Sequence, residues 1–230
     1  MRSADRAPGV GALLALRPVL ARQGIALGIA TAEDRSAHPA GPGEAALADA
    51  MFPVRRRDFL AGRCAARRAL AAMGQPAAEI LYTGARPRFP VGCVGSISHS
   101  RGLAVALSAP ERRFRAVGCD LELRGLPLEA AHLVLTADER RRVDDATHPE
   151  EAASRLLAAF SAKETAFKAY TALLPAASAP AALLDIAVRP LPGGFRCRLR
   201  GMSGHALDVQ VRRIGPGVLS WAAAPAERLR

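Results

Sequence analysis

Asparagine is absent from this chain and lysine nearly so: 30 of its 32 basic residues are arginine. GC-rich coding accounts for a preference for arginine, which makes the two remaining lysines, Lys163 and Lys168, conspicuous. They sit five residues apart, either by chance or because the segment needs a compact ammonium where a planar guanidinium would not serve. Aromatic residues make up only 4% of the chain, too few around the basic segments for the stacking platforms on which single-stranded nucleic acid is held. No run of about 18 apolar residues occurs, which excludes a membrane-spanning helix. The nearest candidate for a signal peptide, Val10–Leu20, is broken by Arg17 and Pro18. The four cysteines, Cys64, Cys93, Cys119 and Cys197, are scattered, without a CxxC and without histidine at ligand spacing. They predict buried thiols in a reducing compartment rather than zinc ligands or disulfides. There is also no phosphate-binding glycine loop, no dinucleotide fingerprint and no GxSxG elbow. These absences describe a soluble, cytoplasmic protein.

What is present is a chain of 230 residues, half of them hydrophobic, with a formal charge of +11. That suffices for one domain or two small ones with a real core. The pattern predicts a strand near Ile25–Ala30, a Pro/Gly-rich loop at His38–Gly43, and a helix over Phe59–Met73 capped by Asp58 and stopped at Gly74. Val91–Ser100 reads as a strand or turn. Leu103, Val105 and Leu107 alternate as a strand, and AVGCDLELR is another. Leu128–Val143 has an interrupted helical period. Glu150–Tyr170 is the clearest helix, with a stripe of Ala153, Leu156, Phe160, Phe167 and Tyr170. The tail reads as an antiparallel meander with turns near Pro192–Gly194, Gly201–Gly204 and Gly215–Gly217. The element order predicts an α+β protein, with a boundary near Pro110–Ala116 separating two similar halves.

Four clusters could carry chemistry. Asp120 and Glu122 lie at i and i+2 of a strand, so both carboxylates share a face. Either that face is solvated, or a hard cation such as Mg²⁺ lies between them. Glu164 and Lys168 are i and i+4 on a helix, the spacing of an ordinary surface ion pair. Lys163, in contrast, falls on the apolar stripe, so its ammonium needs an anionic partner from the protein or from a ligand. In GSISHSRG, small residues flank His99, leaving room for a ligand to approach Ser98 and His99. His99 could equally be a structural histidine. VRRRDFLAGRCAARR gathers Arg55, Arg56, Arg57, Arg63, Arg67 and Arg68, as a solvated helix face or as a footprint for phosphate.

Taken in order, RRRDFLAGRCAARRAL, RPRFPVGCVGSISHS, VGCDLE and FSAKETAFKA resemble the 4′-phosphopantetheinyl transferases of the monomeric, two-lobed enterobactin synthetase component D type. The resemblance implies two similar α/β lobes in a pseudo-twofold arrangement, residues 1–116 and 117–230, with the active site at the lobe interface. It implies transfer of the 4′-phosphopantetheine arm of coenzyme A to a serine of an apo acyl or peptidyl carrier protein, releasing adenosine 3′,5′-bisphosphate. By that likeness Asp120, Glu122 and Glu164 would hold Mg²⁺, or Mn²⁺, and Glu164 could also take the serine proton. Lys163 and Lys168 would hold the coenzyme phosphates, with Ser98 and His99 at the diphosphate. Arg55 or Arg56, together with Arg63, would bind the 3′-phosphate, and Arg86 or Arg88 would lie near adenine. Phe89–Pro90 stands where the family often has Trp-Pro, and Leu121 separates the two acidic strand residues. The basic charge suits an acidic carrier protein, and the segment Arg124–Val143 is a candidate dock for it. No nucleic acid or membrane partner is implied. A non-catalytic nucleic-acid-binding module and a Mg²⁺-dependent phosphohydrolase are the alternatives.

Overall fold

The computed structural model describes residues 9–84, 86–202, 204 and 206–226. It divides into two compact units, with the boundary between Val117 and Gly118 and the segment from Pro225 onward grouped with the first.

The first unit opens with α1 (Val10–Gln23), which carries Pro18 inside it and ends at Gly24 in a left-handed cap. After it come β1 (Ala26–Thr31) and α2 (Pro42–Asp49), the latter starting within the segment expected to be loop. The long α3 spans Pro53–Ala72 and so begins well before Phe59. Pro53 occupies the first helical turn, where its missing N–H costs nothing. Asp58 is therefore an interior helix residue and not the cap. The short hairpin β2 (Leu81–Thr83) and β3 (Arg86–Arg88) precedes β4 (Cys93–Ser100) and β5 (Leu103–Pro110). The main sheet is antiparallel in the order β1-β5-β4. Because β5 is its middle strand, it is buried along nearly its whole length instead of alternating.

In the second unit, β6 (Phe114–Glu122), whose first residues precede the boundary, is followed by the interrupted segment. That segment resolves into a 3₁₀ turn at Leu128–Ala130, α4 (Ala131–Val134) and α5 (Ala137–Asp144). Helix α6 (Pro149–Leu173) is the longest element of the chain. Strands β7 (Ile186–Leu191), β8 (Gly194–Leu199), β9 (Ala206–Ile214) and β10 (Gly217–Pro225) form the meander, giving the sheet order β6-β10-β9-β8-β7. On α6, Leu156 and Tyr170 are buried as expected, while Ala153, Phe160 and Phe167 are only half-buried. The stripe is rotated so that Ala152, Ala159, Lys163 and Ala166 complete it. Among the described residues no helix is long and apolar enough to cross a membrane.

Each unit thus sets one long helix on an antiparallel sheet, and each uses the same device to bring them close. A Cβ on Gly28 of β1 would collide with the Ala65 carbonyl of α3 and sit 2.6 Å from the Ala69 nitrogen. One on Gly118 of β6 would collide with the Thr165 carbonyl of α6 and sit 3.0 Å from Ala169 Cβ. The nearest obstacles are backbone carbonyls, and none of these atoms can rotate away. Gly118→Ala is therefore expected to cost about 1–3 kcal/mol, read as a lower urea midpoint with an unchanged slope.

Candidate active site

In the first unit, helix α3 and strands β2–β4 enclose a cavity of about 160 Å³ lined by Arg55, Asp58, Phe59, Arg63, Tyr82 and His99, among others. Phe59 and Arg63 are one helical turn apart on α3, which stacks the guanidinium on the ring at 4.3 Å from its centroid. Tyr82 of β2 lies beside the same guanidinium, its ring centroid at 4.7 Å. Arg63 is only 3% exposed, and its Nε and Nη2 are buried without a hydrogen-bond partner among the described residues. Burial lowers its pKa, while Tyr82 and the Glu44 carboxylate favour the charge. A buried cation with unused donors is the arrangement that an anionic ligand completes.

Arg55 Nη1 donates to His99 Nε2 at 3.0 Å, and Asp58 lies 3.6 Å from His99 Nδ1. The ring is thus held from both sides. The two candidate registers also separate here, because Arg56 pairs with Asp49 at the surface at 3.0 Å. Other candidate positions lie outside the lining of this cavity. Ser98 is buried on the opposite face of β4 from His99, as strand alternation requires, and does not line the cavity. Arg86 and Arg88 flank Pro87, which does line it, and by the same alternation both are on the other face of β3.

In the second unit the site is built on β6 and α6. Asp120 is 2% exposed, and Lys168 Nζ donates to its Oδ1 at 2.7 Å and to the Cys119 carbonyl at 3.1 Å. Ser161 Oγ donates to the other oxygen, Oδ2, at 2.9 Å. Burial opposes the Lys168 ammonium, but the Asp120 charge outweighs it and raises the pKa. Burial also raises the Glu164 pKa; Lys168 works against that shift and Asp120 adds to it. Lys168 is therefore bonded to Asp120 while also sensing Glu164, so the helix spacing i, i+4 has been put to a different use from a surface ion pair.

Lys163 does not join this group. Its side chain is fully buried, with Nζ 2.7 Å from Glu139 Oε2. Glu139 also accepts from the Thr136 amide at 3.0 Å, the Val188 amide at 3.0 Å and Arg200 Nη2 at 2.8 Å. The anionic partner that Lys163 needs is supplied by the protein, so its assignment to a phosphate is corrected. Burial lowers the Lys163 pKa against the pull of Glu139. For Glu139, burial works upward, but the bonds from Lys163, Val188 and Thr136 prevail and hold it below the ordinary value.

Among the described residues no group of three or more His, Cys, Asp or Glu side chains is gathered as a metal site. Asp120 and Glu164 sense each other's charge, whereas Glu122 is half-buried at the end of β6.

Residues 43–109 match the family model for the 4′-phosphopantetheinyl transferase N-terminal domain, and residues 116–202 match that for the 4′-phosphopantetheinyl transferase superfamily. This chain belongs to the 4′-phosphopantetheinyl transferase superfamily. It is 40% identical over 144 residues to the 4′-phosphopantetheinyl transferase Npt of Nocardia iowensis, covering 60% of each chain. Over 163 residues it is 35% identical to the 4′-phosphopantetheinyl transferase Svp of Streptomyces mobaraensis, covering 69% of this chain and 65% of that one. Enterobactin synthase component D of Salmonella typhi is 35% identical over 120 residues, 51% of this chain and 49% of its own. The chain spans about half to two thirds of the length of these relatives.

The residues that the superfamily resemblance did not supply are Asp58, Tyr82, Glu139 and Ser161. Two of them left a trace in the sequence. Asp58 lies three residues after Arg55, on the same helix face, and Thr136-x-x-Glu139 has the form of a capping box. Tyr82 and Ser161 meet their partners only through the fold.

Proposed function

We propose that this superfamily member transfers the 4′-phosphopantetheine arm of coenzyme A to a serine of an apo acyl or peptidyl carrier protein. Adenosine 3′,5′-bisphosphate would be the other product. The observation that carries the proposal is the pairing of the buried Asp120 with the partly exposed Lys168, with Glu164 beside it. It sets a compact ammonium and two interacting carboxylates together, the equipment for handling a diphosphate and a hydroxyl proton.

Two hard oxygen donors that feel each other's charge fit a divalent cation. Asp120 and Glu164 would hold Mg²⁺, or Mn²⁺, with Glu122 as a further candidate on the same strand. Such an ion would supply neutralisation of the diphosphate charge as the bond to phosphorus breaks. Lys168 would present its ammonium to the phosphoryl oxygens, and Glu164 would accept the proton of the attacking serine. We assign Arg63, Arg55 and His99 to the phosphates of the coenzyme. Arg63 would take the 3′-phosphate with the two donors it now leaves unused. The acceptor we propose is acidic, met by a monomer in the cytoplasm, and the chain's +11 charge favours that encounter.

Calorimetric binding of coenzyme A against its 3′-dephospho analogue tests the first-unit assignment and separates it from non-specific attraction to polyanions. The wild type is expected to prefer coenzyme A, and Arg63→Met to lose about 1.5–3 kcal/mol of that preference, roughly ten- to a hundredfold. Equal affinity of the wild type for both molecules would remove Arg63 from the 3′-phosphate.

A further inference from the structure

Behind Asp120 lies a chain of hydroxyls that nothing in the proposed reaction uses. Ser161 of α6, Ser220 of β10 and Thr165 of α6 are all fully buried. Ser161 Oγ is 2.9 Å from Asp120 Oδ2 and 2.7 Å from Ser220 Oγ. Ser220 Oγ is 2.6 Å from Thr165 Oγ1 and donates to the Ser161 carbonyl at 2.8 Å.

Proton accounting gives this chain a direction. The one Ser220 proton is directed at Ser161, shared between its Oγ and its carbonyl, so the Thr165 hydroxyl donates to Ser220 Oγ. Asp120 Oδ2 is the charged acceptor within reach of Ser161, which therefore directs its one proton there. Both Asp120 oxygens are then fixed from different sides: Oδ2 by Ser161, and Oδ1 by Lys168 Nζ at 2.7 Å. A carboxylate held at both oxygens cannot turn about its Cβ–Cγ bond without losing a charge-assisted bond.

We infer that Ser161 is a positioning residue for Asp120, itself fixed by Ser220 and Thr165, and that this hydroxyl chain sets how tightly the site takes a divalent cation. The inference rests on the reading of Asp120 as a carboxylate that holds the ion. Its chemical content is that Ser161 selects the Oδ2-anchored rotamer of Asp120, the orientation in which this carboxylate would receive the ion. Groups that orient metal ligands in this way typically change metal affinity by 10–100-fold when removed.

The test titrates Mn²⁺ into the full chain with coenzyme A present and reads free Mn²⁺ by its electron paramagnetic resonance signal, against coenzyme A alone. Carrier modification is measured in parallel as a function of Mg²⁺ concentration. Ser161→Ala is expected to weaken Mn²⁺ binding ten- to a hundredfold and to recover most of its turnover at saturating Mg²⁺. Ser220→Ala, which removes only the support of Ser161, should shift both readouts in the same direction by a smaller factor, and Thr165→Val by less again. Should Ser161→Ala fail to fold, Ser220→Ala carries the test. Wild-type Mn²⁺ affinity in folded Ser161→Ala or Ser220→Ala, with only the melting temperature lowered, would overturn the inference and leave the transferase reading intact. A wild-type chain that neither retains Mn²⁺ nor modifies a carrier would overturn both.

Discussion

Asp120→Asn is expected to lower kcat for carrier modification by roughly 10²–10³-fold, the usual consequence of removing one preorganised charge from a site of this kind. The substitution keeps the side-chain volume and an oxygen that can still accept from Ser161. It removes the charge that holds Lys168 and that Glu164 senses. Coenzyme A affinity should change far less, since the cavity lined by Arg55, Arg63 and His99 uses none of these atoms. Glu164→Gln is expected to behave alike. The measurement is steady-state transfer at saturating coenzyme A, with circular dichroism confirming the fold. A rate within a few-fold of wild type would remove Asp120 from the chemistry.

The second large effect concerns stability. Glu139→Leu leaves the fully buried Lys163 ammonium without its counter-charge and should cost about 3–5 kcal/mol, as breaking a buried pair from one side does. Replacing both partners, as Lys163→Met with Glu139→Leu, should recover much of that loss, because no buried charge is orphaned and Arg200, which also pairs with Glu139, is exposed to water. Transfer by the double variant should then lie near the wild-type rate, since Lys163 lies in the structural network and not at the phosphates. A folded double variant as slow as Asp120→Asn would return Lys163 to the chemistry. The same pair sets an acid limit. The Glu139 pKa is held below the ordinary glutamate value, so its contribution is complete above that ordinary value. It is lost as pH falls through the depressed one. Denaturant midpoints of the wild type should fall across that interval, and those of the double variant should fall less.

How much of this was legible in the sequence differs from element to element. Helix α6 and strands β8 and β9 were readable because their apolar residues follow the helical and strand periods, whereas β10 is buried along nearly its whole length. Helix α1 was not, since its apolar residues mark no single face and Pro18 reads as a break. The start of α3 was hidden by Arg55, Arg56 and Arg57, which extend the helix without extending its apolar stripe; Pro53 was the available signal. At the site, periodicity showed that Lys163 needed an anion. It could not show that the anion is Glu139, 24 residues earlier and delivered by the cap of α5. Nor could it show that Arg55 rather than Arg56 meets His99, a contact made through β4. Local pattern reports which face a residue occupies; the identity of its partner comes from tertiary pairing.

The central claim is tested most directly by intact-mass spectrometry of an apo acyl or peptidyl carrier protein incubated with this chain, coenzyme A and Mg²⁺. Expected is a mass gain of one phosphopantetheine arm, abolished by a chelator, by Ser→Ala at the carrier's acceptor and by Asp120→Asn. An unmodified carrier across several carrier types, from a folded chain that also fails to bind coenzyme A, would contradict it.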